Sequence, residues 1–300
     1  MLEALDREQF SKSLFQWTGS LQQATEGRLV AGDGKTLRSS GRKSSGIPHL
    51  HLVTAWASES RLTLGQTACD DKSNEITAIP KLLELLDLSG AVVTIDAMGC
   101  QTEIAAQIRE RKGDYVLGFK ENQPGFPEEM QVLIEGAYDV DFVGHRKTEV
   151  LACDRSHGRE IRRSCFALRV PPDHPQCERW RDLRSVVVVT TERLVPEGES
   201  VWETRYFISS CQPQARKLAR AIRLHWSIES SQHWVLDVAF GEDRRRQSAR
   251  NGAANLAAVR RLTNSLLRQE QSNKRGVKNK RLACGWDPDY LLKTLHDVKF

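Results

Sequence analysis

A chain of 300 residues is long enough for one large domain with an insertion or for two modest domains. Its 39% hydrophobic residues and net charge of +5 are ordinary for a globular enzyme, no apolar run reaches the ~18 to 20 residues of a membrane span, and the N-terminus does not resemble an export signal. Seven scattered cysteines without a CxxC pair argue against a disulfide framework and a cysteine-rich zinc site. We therefore expect a soluble, cytoplasmic protein that has no membrane partner.

The first half of the chain has the pattern of a mixed β-sheet flanked by helices. Hydrophobic residues recur at helical spacing within residues 1–27, and a strand-like run follows at 28–31. A loop rich in Ser, Gly and Lys is predicted at 39–48. The later predicted elements are strands 49–56 and 61–67, helix 74–88, strand 91–95, helix 102–111, strand 115–119 and helix 124–136. This order predicts an α/β fold.

The pattern changes between residues 138 and 210, where strand-like runs are divided by proline- and charge-rich turns. These runs lie at 149–153, 160–170, 185–191 and 204–209. Helical patterns return at 214–238 and 248–268, and a polar, basic stretch then leads to a short final helix at 287–295. The sequence therefore predicts a mostly β insertion within the α/β fold.

Positive charge is concentrated near the C-terminus. Residues 241–281 contain twelve lysines and arginines against three acids. Clustered cations release counterions when they meet a phosphate backbone, so this segment is a candidate nucleic-acid surface. The alternative is a solvated helix face followed by a basic loop.

Two aspartates follow predicted strands. Asp33 comes after the strand at 28–31, and Asp96 comes directly after the apolar strand at 91–95. Carboxylates at the carboxyl ends of neighbouring strands converge on one crevice, where ligands of open α/β sheets collect. The pair is therefore a candidate metal site. The alternative is that each aspartate begins a turn or caps the next helix.

A third acidic candidate lies on the aromatic-rich helix of residues 223–237. The residues His225, Glu229 and His233 are spaced four apart, which predicts a nearly vertical row on one helix face. Three acids suit Mg²⁺ or Mn²⁺, and such a site can hold two ions about 4 Å apart. Zinc bound by the His–Glu–His row is a second hypothesis, and a solvent-facing glutamate with structural histidines is the third.

Five runs of the chain resemble one protein family. They are residues 32–38 (GDGKTLR), 72–80 (KSNEITAIP), 93–101 (VTIDAMGCQ), 225–229 (HWSIE) and 233–243 (HWVLDVAFGED). In this order they are similar to the insertion-sequence DDE transposases of the ISAs group, which include the H-repeat-associated proteins. The resemblance covers nearly the whole chain.

The resemblance implies a ribonuclease-H-like core in which Asp33, Asp96 and Glu229 are the catalytic acids that bind two Mg²⁺ or Mn²⁺ ions. It implies metal-dependent hydrolysis at transposon ends and strand transfer to target DNA, with double-stranded DNA as partner and a homo-oligomer on that DNA. The corresponding segments are an N-terminal helix at 1–27, the first part of the core at 28–137, the β insertion at 138–210, the helical completion of the core at 211–270, and a basic tail with a short helix at 271–300.

The sequence departs from related transposases at one signature. Their Tyr-Arg-Glu-Lys pattern falls here on Ile222, His225, Glu229 and Leu236, so only Glu229 is carried over. Other cations near the acids are our own candidates for contacts to the DNA backbone. These candidates are Lys35, Lys120, Arg159, Arg223, Arg244, Arg245 and Arg246.

Two further hypotheses concern activity. Members of this family usually have an additional N-terminal region, so the sequence predicts a truncated copy. A catalytically silent DNA-binding protein derived from a transposase is the alternative function, and in it the basic segment of residues 244–281 would be the important part.

Overall fold

The computed structural model describes residues 1–20, 29–41, 46–69, 74–119, 126–156, 159–194, 200–244 and 250–296. Its α-helices are α1 (Arg7–Ser20), α2 (Glu75–Glu84), α3 (Thr102–Glu110), α4 (Phe126–Asp139), α5 (Gln176–Arg179), α6 (Ala215–His225), α7 (Trp234–Phe240), α8 (Arg250–Gln269), α9 (Val277–Trp286) and α10 (Pro288–His296). Its strands are β1 (Leu29–Leu37), β2 (Leu50–Ala57), β3 (Leu62–Ala68), β4 (Val92–Ile95), β5 (Asp114–Phe119), β6 (Lys147–Ser156), β7 (Arg159–Arg169), β8 (Ser185–Leu194) and β9 (Val201–Ser209).

The chain divides into two compact units. The first unit is formed by Met1–Asp87 and Leu224–Phe300, and the second by Leu88–Arg223. The first unit contains antiparallel strands in the order β3-β2-β1, and β1 pairs with β2 from Val30 opposite Ala57 to Leu37 opposite Leu50. This sheet carries the first candidate acid, Asp33, opposite Thr54.

Helix α8 packs on this sheet through alanines. Small side chains allow a helix backbone to approach its neighbour closely, so the leucines of β1 and β2 fill the space between them. The buried cluster consists of Leu37, Leu50, Leu52, Ala253, Ala254 and Ala257. This contact fixes the C-terminal half of the unit on the strand that carries Asp33.

The second unit combines a parallel pair with a long antiparallel sheet. Strands β4 and β5 are parallel, and β5 is followed in space by β9, β8, β7 and β6, each antiparallel to its neighbour. Helix α3 buries an apolar stripe of Ile104, Ala105 and Ile108, as its helical spacing predicts. Asp96 follows β4 at the carboxyl end of the parallel pair.

The mixed α/β fold predicted from the sequence is confirmed, as is the mostly β character of residues 138–210. The predicted helix 214–238 is wrong as a single element, because α6 ends at His225 and a π-helical turn precedes α7. Helix α9 was not predicted. Parts of the predicted N-terminal helix and of the loop at 39–48 lie outside the described residues. No helix in the described part of the chain combines the length and apolarity that a bilayer crossing requires.

Candidate active site

Asp33 lies in the middle of a strand and not after its end. The prediction that the strand stops at residue 31 is wrong, because β1 continues to Leu37 with β2 paired beside it throughout. Glycines on both sides of Asp33 resemble a turn in the sequence, but the ladder to β2 keeps them extended. The Asp33 side chain is 19% exposed, and its Oδ1 accepts a hydrogen bond from the Gly34 N–H at 2.9 Å.

One face of β1 meets the C-terminal helical segment position by position. Alternate residues of a strand point to the same face, so Ala31, Asp33 and Lys35 share a direction. Ala31 packs with Ile228 and Trp56 in a buried cluster. Asp33 Oδ2 lies 3.5 Å from His233 Nδ1, and Lys35 Nζ lies 2.8 Å from Asp237 Oδ1. The segment from Ile228 to Asp237 therefore runs along this face of the strand, and Glu229 is its second residue.

Glu229 begins a π-helical turn, Glu229–His233. The turn is closed by the Trp234 N–H, which donates to the Glu229 carbonyl. Such turns insert one extra residue into a helix and are frequent at functional sites. The turn also means that His225, at the end of α6, does not share one regular α-helix with Glu229 and His233, contrary to the predicted row. The Glu229 side chain is exposed.

His233 is a neutral imidazole beside Asp33. Its pKa is lowered to about 3, mainly by burial and in addition by the positive charges of Arg261 and Lys35. Among the described residues its buried Nε2 has no hydrogen-bond partner. At neutral pH this ring is therefore uncharged, and the negative charge of Asp33 is not cancelled by an imidazolium.

Lys35 is enclosed by carboxylates. Its side chain is 9% exposed, and Nζ lies 2.8 Å and 3.0 Å from the two Asp237 oxygens, 3.6 Å from Asp243 and 3.8 Å from Glu242. The fully buried Glu242 side chain is also held by Arg261, with 2.9 Å between Oε1 and Nη1. The positive charge of Lys35 is thus used inside the protein and is not directed at a DNA phosphate.

The opposite face of β1 is covered by a histidine–glutamate pair. His51 Nε2 lies 2.7 Å from Glu75 Oε1, and its Nδ1 lies 2.8 Å from Thr36 Oγ1. A Cβ at Gly34 would overlap with both the Glu75 carboxylate and the His51 ring. The glycine after Asp33 is therefore required by a close approach.

Asp96 is placed as the sequence predicts, directly after β4. Its Oδ1 accepts a hydrogen bond from the Met98 N–H at 3.2 Å and caps a short 3₁₀ turn. This capping matches the alternative considered from the sequence, and it also orients the carboxylate.

The remaining predicted cations are distributed differently. Arg223 is 57% exposed and pairs with Asp154, with 2.7 Å between Nη1 and Oδ2. Arg244 is exposed in the turn after α7. Lys120, Arg245 and Arg246 lie outside the described residues, as does the side chain of Arg159. Part of the basic C-terminal segment is internal, because Arg260, Arg261 and Lys280 are buried.

The three acids offer the ligands that a hard divalent cation prefers. Carboxylate oxygens bind Mg²⁺ and Mn²⁺, and the backbone N–H donors to Asp33 and Asp96 hold two of the carboxylates in defined orientations. The donor chemistry therefore fits. Within the described ranges, no group of three or more His, Cys, Asp and Glu side chains is arranged to hold one metal ion. This applies to Asp33, Asp96 and Glu229 as well as to the His225–Glu229–His233 set considered for zinc.

Comparison with known proteins identifies the family. A family model described as a transposase DDE domain matches residues 23–263. The chain belongs to the DDE transposase family. The resemblance found in the sequence is confirmed, and with it an insertion-sequence transposase of the H-repeat-associated group with a ribonuclease-H-like fold. Membership of this family implies that the partner is DNA.

Three relatives are similar over almost the whole chain. YncI of Escherichia coli O157:H7, named as a candidate transposase, is 37% identical over 298 residues, which are 97% of this chain and 75% of YncI. The protein YbfL of Escherichia coli K12 is 32% identical over 300 residues, covering 98% and 78%. YhhI of the same strain, an H repeat-associated candidate transposase, is 31% identical over 300 residues, again covering 98% and 78%.

Sequence reasoning assigned no role to the acids that enclose Lys35. Asp237, Glu242 and Asp243 lie in a run used for the family resemblance, but their partner is 202 or more positions earlier in the chain. The sequence did contain one indication of such a role, because Glu242 and Asp243 form an acidic pair at the start of an otherwise basic segment. These residues fix the helical segment on β1, and so they belong to the framework of the site.

Proposed function

We propose that this transposase is a metal-dependent nuclease and strand transferase that acts on transposon ends, with Asp33, Asp96 and Glu229 as its catalytic acids. The main support is the register between β1 and the C-terminal helical segment, which places Asp33 beside the segment of residues 228–237 that contains Glu229. The position of Asp96 at the end of a buried strand is the second support.

Each residue has a distinct task in this proposal. Backbone N–H groups already orient the carboxylates of Asp33 and Asp96, so these side chains need little reorganisation when a cation binds. Glu229 supplies an exposed carboxylate from a π turn. Neutral His233 contacts Asp33 without adding charge, and this preserves the attraction of Asp33 for a cation.

The proposed chemistry is an in-line displacement at phosphorus. Two divalent ions, when bound, supply activation of the attacking oxygen and stabilisation of the leaving oxygen. In the first step a water oxygen forms a bond to phosphorus, and the bond to the 3′ oxygen breaks to leave a 3′-hydroxyl and a 5′-phosphate. In the second step that 3′-hydroxyl attacks a phosphodiester of the target DNA and displaces its 3′ oxygen. Because two transposon ends must be joined to one target, we propose a homo-oligomer on DNA.

The test is cleavage of DNA that carries the element's ends, in the presence of Mg²⁺ or Mn²⁺. We expect Asp33→Asn, Asp96→Asn and Glu229→Gln each to abolish cleavage, whereas the exposed controls Glu84→Gln and Asp139→Asn leave it unchanged. Calorimetric Mn²⁺ binding is a second measurement that does not require turnover, and each of the three variants should weaken it. Undiminished cleavage by Asp96→Asn or Glu229→Gln would refute the assignment. Metal-independent DNA binding without cleavage by the unmodified chain would favour a silent DNA-binding protein.

A further inference from the structure

A cavity of about 560 Å³ lies beside the end of the π turn, within the first unit. Helix α7 supplies its apolar wall, and the start of α9 with the preceding loop supplies its rim. The residues that matter here are Trp234 and Val238 on the wall, and Arg61, Arg268, Lys274, Arg275 and Lys278 around it. No acidic residue lines the cavity among the described residues.

The apolar wall is exposed and aromatic. Trp234 is 62% exposed and Val238 is 50% exposed, and they lie four residues apart on one helix face. The other face of α7 is already used, since Val235, Leu236, Ala239 and Phe240 pack with Leu267. Core packing therefore does not explain the tryptophan, and an exposed indole ring offers a flat surface on which another ring can stack.

The cations at the rim are not neutralised within the described part of the chain. Arg61, Lys274, Arg275 and Lys278 are exposed and make no ion pair with a described carboxylate. The nearby Glu270 is buried and is already engaged by Lys280, with 3.4 Å between Oε2 and Nζ. Like charges of this kind repel one another, and a bound anion would relieve the repulsion.

Arg268 shows the same excess of positive charge inside the cavity. Burial lowers the pKa of its guanidinium from the usual value, and the positive charge of Arg61 lowers it further. Its Nη2 donates to the Ser231 carbonyl, but its buried Nε has no partner among the described residues. Arg268 therefore adds a further positive charge to the wall of the cavity.

We infer that this cavity binds an unpaired nucleotide of the DNA substrate, with its base stacked on Trp234 and its phosphates held by the cationic rim. Base stacking on an aromatic residue beside a positively charged groove is how proteins bind single strands without reading their sequence. Trp234 is the residue whose N–H closes the π turn at Glu229. A strand held here would pass within one helical turn of that catalytic candidate. The inference rests on the proposed action on DNA.

The test uses a DNA duplex with a short single-stranded extension that contains 2-aminopurine, together with a blunt duplex of the same sequence. Both are titrated with the unmodified chain in chelator, so that cleavage is not required. Stacking on Trp234 should quench the 2-aminopurine, and the extended duplex should bind more tightly than the blunt one. Trp234→Leu should abolish the quenching and weaken binding of the extended duplex by ~5- to 100-fold, as expected for one stacked base.

Trp286→Leu is the matched control, because Trp286 is 78% exposed in α9 but does not line the cavity. It should leave quenching and affinity unchanged. The double variant Lys274→Gln with Arg275→Gln should reduce the dependence of log K on log salt by about 0.7 for each phosphate that the rim no longer neutralises, and Lys217→Gln on α6 should not.

Equal affinity for the extended and blunt duplexes would overturn the inference, as would equal losses in the two tryptophan variants. Weakened binding by the double variant with no effect of Trp234→Leu would show a groove for duplex phosphates instead. The result is separate from the catalytic proposal, since Glu229→Gln can abolish cleavage without changing the 2-aminopurine signal.

Discussion

Replacement of Lys35 by methionine tests how the helical segment is held on β1. The substitution keeps most of the side-chain volume and removes the charge that Asp237, Glu242 and Asp243 share. Lys35 is 9% exposed and Glu242 is 0% exposed, whereas Asp237 and Asp243 are 37% and 24% exposed. Removal of one partner of a buried ion pair costs ~3 to 5 kcal/mol, and because two of these carboxylates can still reach water we expect about 3 kcal/mol.

The free energy of unfolding from urea titrations at pH 7 measures this loss. Arg38→Met is the control, because Arg38 is 83% exposed at 4.0 Å from Asp243 and should change stability by no more than ~0.5 kcal/mol. Asp237→Asn combined with Lys35→Met should cost less than the sum of the single changes, since the double variant leaves one buried charge fewer uncompensated. Additive single effects, or equal losses for Lys35→Met and Arg38→Met, would refute the role of Lys35 in holding the helical segment on β1.

Three further predictions concern the same unit. The pKa of His233 is lowered to about 3, so between about pH 6.5 and pH 3 the unfolded chain binds a proton at this residue that the folded chain does not. The free energy of unfolding should therefore fall as the pH drops below about 6.5, by at most ~1.4 kcal/mol per pH unit. His233→Gln should remove that part of the pH dependence in urea titrations at pH 7.5 and 5.5, and parallel profiles would contradict it. Ile228→Ala should cost ~2 to 5 kcal/mol and Ile228→Val ~0.5 to 1.5 kcal/mol, because Ile228 is fully buried against Ala31 and Trp56; equal unfolding midpoints would argue against that contact. Gly241→Ala should cost ~1 kcal/mol of stability because Gly241 ends α7 at φ +62°. Gly285→Ala, in open space on α9, should stabilise the chain by ~0.5 to 1 kcal/mol. Changes of the same sign for both variants in thermal unfolding would be inconsistent with this geometry.

Local patterns in the sequence predicted most of the elements but misplaced the surroundings of Asp33. The apolar strand before Asp96 and the helix of α3 are defined by their own residues, so their positions could be predicted. The extent of β1 is different, because Gly32 and Gly34 favour a turn locally, whereas pairing with β2 keeps them extended. Long-range pairing of this kind is not visible in a single sequence.

The burial of part of the basic C-terminal segment could not be predicted for a similar reason. Arg261 looks like part of a cationic surface, but it is completely buried because Glu242 lies 19 positions earlier at hydrogen-bond distance. For Arg261 a distant partner therefore determines the outcome. The π turn at Glu229 likewise has no sequence pattern of its own.

The two faces of β1 make this part of the gene intolerant of small changes in length. Asp33 and Lys35 point to the helical segment, while Gly34 and Thr36 lie under the His51–Glu75 pair. Insertion of one codon between Ala31 and Asp33 would exchange the faces, so that the Asp33 carboxylate would meet Glu75 at the place where only a glycine fits. A single substitution here changes one contact at a time, but a one-residue shift in register would displace both Asp33 and the ion pairs of Lys35.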